Sequence, residues 1–260
     1  MSEVRTHDAD GVRVLTLDVP ERRNAMGEPM AAEVRAAVAD WERAGVRALV
    51  VTGAGPAFCA GADLPQLFGD PDADPRATHA RLSAYYRAFL DVADLPIPTI
   101  AAVSGPAVGA GLNLALACDV RIAGPDASFG ATFTRIGLHP GGGVSWALAR
   151  AIGPSRALSA LLAGEAITAE QAVAWGLADG PSDDPLDEAM TLAGRFASVD
   201  SQLAQSVKRA VKLAVTTDDR DAVVAYETWA QAVSASSPEL AAWVAHFDDA
   251  KRKKQQEEDQ

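Results

Sequence analysis

Residues 50–64 read Val50-Val51-Thr52-Gly53-Ala54-Gly55-Pro56-Ala57-Phe58-Cys59-Ala60-Gly61-Ala62-Asp63-Leu64, and they carry the most informative pattern of the chain. The apolar start of the stretch predicts a buried strand. A Gly-x-Gly follows, but Phe58 stands at the third glycine position of a dinucleotide-binding loop and Pro56 interrupts the loop. The small residues that follow let a ligand approach the backbone, and Asp63 can cap a short helix. The stretch therefore predicts a strand and a ligand loop, and it excludes a dinucleotide site.

A second small-residue loop lies farther along the chain, at Gly105-Pro106-Ala107-Val108-Gly109-Ala110-Gly111. It follows a predicted strand, Thr99–Val103, and leads into a predicted helix, Leu112–Ala117. Two such loops at helix N-termini can direct two backbone N–H groups at one point, which suits an oxyanion such as a thioester enolate. The same spacing also suits tight turns with close helix–strand packing. On spacing alone, both interpretations stay open.

The chain around these loops alternates short apolar runs with amphipathic runs. Strands are predicted at Val12–Leu17 and Ala48–Thr52, and helices at Pro29–Arg43 and Arg81–Asp94. This alternation is typical of an α/β domain. After about Pro185 the signal is almost entirely helical. The predicted helices there are Leu186–Val199, Leu203–Ala214, Arg220–Ala235 and Pro238–Lys254.

Composition excludes several classes of function. The chain has 260 residues, and 23 Lys and Arg against 35 Asp and Glu give a net charge of −12. Such an acidic surface repels phosphate backbones and anionic lipids, so we expect no nucleic-acid or membrane partner. Two cysteines, a polar start and no long unbroken apolar run predict a soluble cytoplasmic protein. The histidines show no metal-ligand spacing, so no metal site is predicted.

Several motifs together resemble the crotonase superfamily, the enoyl-CoA hydratase/isomerase family. The resemblance covers nearly the whole chain and favours the oxyanion interpretation of the two loops. Its motifs are Pro20-Glu21-Arg22-Arg23-Asn24-Ala25-Met26, Phe58 to Leu64, Gly105 to Gly111, Ala117-Cys118-Asp119, Phe129-Gly130 and Gly137-Leu138-His139-Pro140-Gly141-Gly142-Gly143.

The resemblance implies a fold, a ligand and an assembly. The fold would be an α/β spiral of ββα units over residues 1–197, with a helical trimerisation region over residues 198–260. The assembly would be a homotrimer or homohexamer. The ligand would be an acyl-CoA or enoyl-CoA thioester, with no cofactor beyond the coenzyme A of the substrate. The backbone N–H groups of Ala62 and Ala110 would hold the thioester oxygen. Coenzyme A would contact Arg22, Arg23, Ala25, Ala60, Asp63, Leu64 and Lys208.

The two catalytic glutamates of the family's hydratases are missing from the pattern. By motif spacing they fall on Asn113 and Phe133, and no Asp or Glu occurs in residues 95–118 or 127–164. An amide cannot accept a proton from water near neutral pH, and a phenyl ring can neither accept nor donate one. Ordinary enoyl-CoA hydration is therefore not expected. His139, on the last motif, is the candidate replacement acid or base, although a hydrogen-bonded loop histidine is the simpler interpretation.

Three hypotheses follow. The first is a divergent enzyme of the family that combines oxyanion stabilisation with a group such as His139. The second is a non-catalytic acyl-CoA binding or carrier protein that has kept only the thioester cradle. The third, a purely structural oligomer, fits poorly with two intact ligand loops.

Overall fold

The computed structural model describes residues 2–70 and 72–246, and the chain divides into two units. The first unit, Met1–Ser201, is built on a five-stranded sheet. Its strands are β1 (Val4–Ala9), β2 (Val12–Leu17), β3 (Ala48–Gly53), β4 (Thr99–Val103) and β6 (Val120–Ala123). They lie in this order across the sheet; β1 and β2 are antiparallel and the other neighbours are parallel. The strands predicted at Val12–Leu17 and Thr99–Val103 are confirmed with the same bounds, and Ala48–Thr52 is confirmed with one residue more.

A second sheet of three short strands lies in the same unit. Its strands are β5 (Pro106–Val108), β7 (Ser128–Gly130) and β8 (Ala166–Thr168), in the order β5-β7-β8. The pair β5 and β7 is parallel, and β7 and β8 are antiparallel. Strand β5 lies within the second small-residue loop, so this sheet anchors that loop.

Eight helices complete the described part of the first unit. They are α1 (Glu28–Ala39), α2 (Leu64–Phe68), α3 (Pro75–Asp94), α4 (Ala110–Ala117), α5 (Val144–Ile152), α6 (Pro154–Ala163), α7 (Ala169–Ala174) and α8 (Pro185–Ser198). Two 3₁₀ turns lie at Pro20–Arg22 and Thr132–Ile136. Helix α3 begins six residues before the predicted Arg81, because Asp74 caps it by accepting a hydrogen bond from the N–H of Arg76 (3.0 Å) and Pro75 opens its first turn.

Alternate residues of the central strands pack on opposite faces of the larger sheet. Leu49 and Val51 of β3 belong to the main core with residues of α1, α3 and α4, whereas Val50 belongs to a second cluster. Ala189 and Ala193, four residues apart on α8, are fully buried in that second cluster. Small side chains at this spacing let α8 lie close to the strands. The helices and sheets establish the α/β class that the sequence predicts.

Arg13 ties the edge of the larger sheet to α1. Its guanidinium makes two hydrogen bonds to Asp8, directly opposite on β1, at 2.8 and 2.6 Å, and one to Asp40 at 2.6 Å. These bonds to Arg13 hold the pKa of both carboxyls below the usual aspartate value. The network joins the first two strands to the end of the first helix.

The second unit, Gln202–Gln260, is helical where it is described. It contains α9 (Ser201–Thr216), which starts at the boundary, and α10 (Arg220–Ser234). The hydroxyl of Tyr226 donates to the carbonyl oxygen of Ser206 at 3.2 Å and joins the two helices. The helices predicted at Leu203–Ala214 and Arg220–Ala235 are confirmed. Residues 238–246 are also helical, and the remainder of the predicted Pro238–Lys254 helix lies outside the described residues. The oligomerisation role of this region stays a prediction.

Candidate functional site

The two small-residue loops run side by side. The N–H of Cys59 donates to the carbonyl oxygen of Pro106 (3.1 Å), and the N–H of Val108 donates to that of Cys59 (2.9 Å). These bonds form a parallel bridge between Cys59 and Ala107. Burial raises the pKa of the Cys59 thiol to about 11, so this side chain is a neutral packing group. The bridge fixes the register of one loop against the other.

Ala62 lies three residues after Cys59, and Ala110 lies three residues after Ala107. Gly61 and Gly109 precede them with φ of +118° and +54°, a region that favours glycine. The loops come so close that a β-carbon on Gly61 would lie 3.2 Å from the carbonyl oxygen of Val108, on the second loop. Within residues 2–70 and 72–246, the N–H groups of Ala62 and Ala110 donate to no acceptor. Two backbone donors are thus available side by side to a ligand oxygen.

A neighbouring segment fixes the first of these donors. Met26 donates its N–H to the carbonyl oxygen of Gly61 (2.7 Å) and accepts from the N–H of Asp63 (2.9 Å), so Ala62 is held between two hydrogen bonds. The second donor is the first residue of α4, whose N-terminal end favours negative charge. Both positions are determined by backbone pairing, which makes the donors rigid.

A cavity of about 100 Å³ lies at these donors, and both Ala62 and Ala110 line it. The remaining wall consists of Ala60, Gly61, Leu64, Leu67, Phe68, Leu82, Tyr85, Tyr86, Phe89, Val108, Gly109, Asn113, Thr132, Phe133, Ile136, Leu138 and Gly141. Among the described residues, no carboxylate, histidine, lysine or arginine belongs to this wall. Its titratable side chains are the two tyrosines, and burial raises the pKa of each. The wall is therefore neutral and mostly apolar.

Asn113 and Phe133 both face this cavity. Asn113 is buried one turn into α4, and its Nδ2 donates to the carbonyl oxygen of Gly141 at 3.1 Å. Because a carbonyl can only accept, this bond orients the amide and leaves its Oδ1 without a donor among the described groups. Phe133 lies in the second 3₁₀ turn and packs against the main core. The structure thus brings both residues together with the two backbone donors.

Three aromatic residues of α3 form one side of the cavity. The rings of Tyr85 and Phe89 meet edge to face with their centroids 6.2 Å apart, and the ring centroids of Tyr86 and Phe89 are 5.6 Å apart. Tyr85 donates its hydroxyl to the carbonyl oxygen of Met26 at 3.1 Å, on the segment that holds Ala62. Leu67 and Phe68 of α2 also line the cavity, and the sequence pattern does not predict them.

His139 directly follows Leu138, a residue of the cavity wall. The His139 side chain is exposed, and its Nδ1 lies 2.7 Å from the carbonyl oxygen of Pro140. It is not among the described residues of the cavity wall. The structure therefore does not bring His139 together with Ala62, Ala110 and Asn113.

Of the predicted coenzyme A contacts, Ala60 and Leu64 line the cavity. Arg22, Arg23, Ala25 and Asp63 lie beside it; in the described part of the chain they are not part of its wall. Arg22 is exposed, bonds to Glu3 and lies 3.6 Å from Asp63. The carbonyl oxygen of Arg23 accepts from the N–H of Ala60 at 2.9 Å, which ties the two segments together.

Of the predicted coenzyme A contacts, Asp63 lies at the start of a helix and Lys208 lies within one. Asp63 caps α2 by accepting from the N–H of Gln66, as the sequence predicts. Lys208 is a buried residue of α9, in the second unit.

The described residues contain no group of three or more potential metal ligands. None of the helices in residues 2–70 and 72–246 has the length and hydropathy of a membrane span.

Comparison with known proteins gives consistent matches over most of the chain. The model of the enoyl-CoA hydratase/isomerase family matches residues 7–242. A probable enoyl-CoA hydratase of Mycobacterium tuberculosis, EchA14, is 46% identical, with 90% of this chain and 93% of that protein covered. The 1,2-epoxyphenylacetyl-CoA isomerase of Escherichia coli is 36% identical, with 83% of this chain and 84% of that protein covered. The crystal structure of an enoyl-CoA hydratase from Polaromonas sp. JS666 matches with a TM-score of 0.86 at 30% identity, and the match covers 95% of this chain and 97% of that one. The predicted crotonase-like fold is confirmed, and the chain belongs to the enoyl-CoA hydratase/isomerase family.

Proposed function

We propose that the protein binds an acyl-CoA or enoyl-CoA thioester and polarises its carbonyl with the N–H groups of Ala62 and Ala110. The observation that carries this proposal is the pair of unpaired backbone donors, set side by side by the Cys59–Ala107 bridge at the wall of a mostly apolar cavity. The apolar wall suits the acyl group. Exposed Arg23, on the segment tied to Ala60, offers positive charge to coenzyme A phosphates in a chain of net charge −12, and Arg22 would do so in exchange for its pairing with Glu3.

The chemical effect of two such donors increases as negative charge develops on the oxygen. A neutral thioester gains two ordinary hydrogen bonds, whereas an enolate or tetrahedral oxyanion gains two charge-assisted ones. Each donor of this kind contributes about 10²–10³ to the rate of a reaction that passes through an oxyanion. The coenzyme A belongs to the substrate, and the proposal needs no other cofactor.

Addition of water is not part of the proposed function. Asn113 and Phe133 stand where the family pattern implies glutamates, and neither can take a proton from water. Loss of each acid or base group costs about 10²–10⁴ in rate. The relatives include one named for isomerase activity, so the family name covers more than hydration.

Two forms of the proposed function remain. In the first, an enzyme forms an enolate at the two donors, and the exposed side chain of His139 rotates from its position next to the wall residue Leu138 to move the proton. In the second, the protein binds acyl-CoA without chemistry, which the neutral wall of the cavity favours. They differ in one observable, the exchange of the α-proton of the bound thioester with solvent.

The deciding experiment is mass spectrometry of a panel of acyl- and enoyl-CoA esters incubated with the protein in D₂O. Deuterium at the α-carbon, abolished by His139→Ala but kept by His79→Ala, supports the enzymatic form. His79 is a matched control because it is another exposed histidine outside the cavity wall. Saturable thioester binding without exchange, hydration or cleavage supports the carrier form. If no ester binds more tightly than free coenzyme A, the proposed function is wrong.

We also propose that the helical region over residues 198–260 mediates a homotrimer, alone or paired into a homohexamer. Support comes from an exposed apolar row on α9, spaced four residues apart, with exposed fractions between 39% and 59%. The row consists of Leu203, Val207, Val211 and Val215. Apolar surface at this periodicity is typical of an interface. Light scattering on the purified full chain tests the assembly: a monomeric mass would refute it.

A cytoplasmic location is the last part of the proposal. The two cysteines, Cys59 and Cys118, are buried and form no disulfide, which fits a reducing compartment. Fluorescent tagging followed by fractionation tests this location.

A further inference from the structure

We propose that the site selects compact acyl groups of about four carbon atoms or fewer, and that Tyr86 sets this limit. The inference rests on the proposed function, because it specifies which acyl-CoA esters fit the cavity beside Ala62 and Ala110.

The size of the cavity gives the first argument. Its volume is about 100 Å³. In another protein, an engineered apolar cavity of about 150 Å³ holds one benzene molecule, which has six carbon atoms. By proportion, the cavity here accommodates an acyl portion of about four carbon atoms.

The exposure of the wall residues shows where the cavity is closed. Leu64 and Ile136 are 40% and 58% exposed, so they mark its open side. Leu67, Tyr85 and Phe89 are at most 5% exposed and mark its closed side. An acyl chain that enters past Leu64 and Ile136 therefore ends against the buried aromatic side chains of α3.

The closed side has little freedom to retreat. Tyr85 is anchored by its hydrogen bond to the carbonyl oxygen of Met26. Phe89 is confined by Gly142, where an added β-carbon would lie only 2.6 Å from the ring. Protein interiors packed this closely do not absorb additional methylene groups without cost.

Tyr86 is the aromatic wall residue of α3 that is neither fully buried nor anchored by a hydrogen bond among the described residues. It is half-buried, and its hydroxyl has no hydrogen-bond partner among the described residues. Its ring lies 5.6 Å from that of Phe89, and its Oη would be 2.2 Å from a β-carbon on Gly141. The ring therefore occupies space between the closed side and the glycine loop, and its removal lengthens the cavity.

The experiment is a titration calorimetry series on the full chain with acetyl-, butyryl-, hexanoyl- and octanoyl-CoA, with free coenzyme A as reference. We expect butyryl-CoA to bind most tightly and hexanoyl-CoA about tenfold more weakly, the cost of forcing extra methylenes into a packed site. Tyr86→Ala should bring hexanoyl-CoA close to butyryl-CoA. Tyr86→Phe, which keeps the ring and loses only the hydroxyl, should keep the wild-type limit.

Each outcome has a definite meaning. Affinity that rises steadily through octanoyl-CoA overturns the size limit. An unchanged limit in Tyr86→Ala overturns the role of Tyr86, and if that variant fails to fold, Tyr86→Leu takes its place. If none of the esters binds more tightly than free coenzyme A, the proposed function fails instead, and the size limit fails with it.

Discussion

A β-carbon on Gly111 would lie 2.3 Å from the carbonyl oxygen of Cys59 and 2.7 Å from its Cβ. Helix α4 therefore begins in direct contact with the first loop, at a distance that no side chain permits. This contact holds Ala110, the residue before Gly111, beside Ala62. The glycine is required by space rather than by φ, since its backbone is helical.

Gly111→Ala should therefore destabilise the protein, by about 1–3 kcal/mol as for an overpacked core position. Gly194→Ala is the matched control, because Gly194 is also helical but has nothing within 4 Å of its virtual β-carbon. That substitution should stabilise by about 0.5–1 kcal/mol, since alanine restricts the unfolded chain and favours the helix. Urea unfolding of both variants measures the two changes. Equal effects of the two substitutions would contradict the close contact at Gly111.

Ala110→Pro should remove one donor without breaking α4. Proline is tolerated at the first position of a helix, and Ala110 is that position. The thioester carbonyl of a bound ¹³C-labelled ester should then absorb at higher infrared frequency than in the wild type. Affinity should fall by at least about fivefold, because one net hydrogen bond is lost and the proline Cδ occupies the direction in which the N–H pointed. Any α-proton exchange should fall about 10²–10³-fold.

Arg220→Pro is the control for this substitution. Arg220 opens α10, is exposed, and its N–H is not one of those that Asp219 accepts. Arg220→Pro should leave the infrared frequency of the thioester carbonyl unchanged. An identical frequency in Ala110→Pro and wild type would refute the role of the Ala110 donor.

Asn113→Glu combined with Phe133→Glu should create hydration of crotonyl-CoA. The two positions line the same cavity as the backbone donors, so carboxylates there would face the bound ester. We expect a gain of about 10²-fold or more over the wild type, because a single acid or base group is worth at least that much. Burial raises the pKa of an introduced carboxyl, so the activity should decline as pH falls toward that raised pKa.

The matched control for this gain is Asn113→Gln combined with Phe133→Leu, which changes the same side chains without adding charge. Direct detection of the hydroxyacyl product by mass spectrometry measures the hydration and excludes other consumption of the ester. A folded double-glutamate variant that forms no product would show that more than the missing carboxylates prevents hydration.

The Arg13 network should make stability sensitive to acid. Asp8 and Asp40 have a folded pKa below the ordinary aspartate value of 3.8, so the unfolded chain binds more protons in acid. The contribution of these two carboxyls to the free energy of unfolding is complete at pH values above the unfolded pKa, and it is lost as the pH falls through the lower folded pKa. Arg13→Leu should flatten the dependence of Tm on pH between about 2 and 5.

Arg43→Leu provides the comparison for the network. Arg43 pairs with Asp40 at 3.0 Å but is 83% exposed, so solvent screens the pair. It should leave the acid dependence nearly unchanged. If both variants follow the wild-type curve, Arg13 does not control this titration.

The sequence predicted the strands and the two loops better than the closed side of the cavity. Alternation and glycine spacing are local signals, and they located β2, β4 and the residues around Ala62 and Ala110. Leu67 is joined to α3 by the guanidinium of Arg81, which donates to the carbonyl oxygen of Leu67, a tertiary contact that leaves no local pattern. The direction of His139 depends on the backbone of its glycine-rich loop, where Gly137 has a φ of +71°, and sequence spacing does not encode it.

The Cys59–Ala107 bridge also has a consequence for how this chain tolerates change. The donors at Ala62 and Ala110 are main-chain groups, so their presence depends on the number of residues after the bridge and not on the side chains. Many residue types can occupy these two positions, provided that the cavity keeps its room. A single insertion or deletion between the bridge and either donor would rotate that N–H away. Natural variation in this region should therefore consist of substitutions, with loop length held constant.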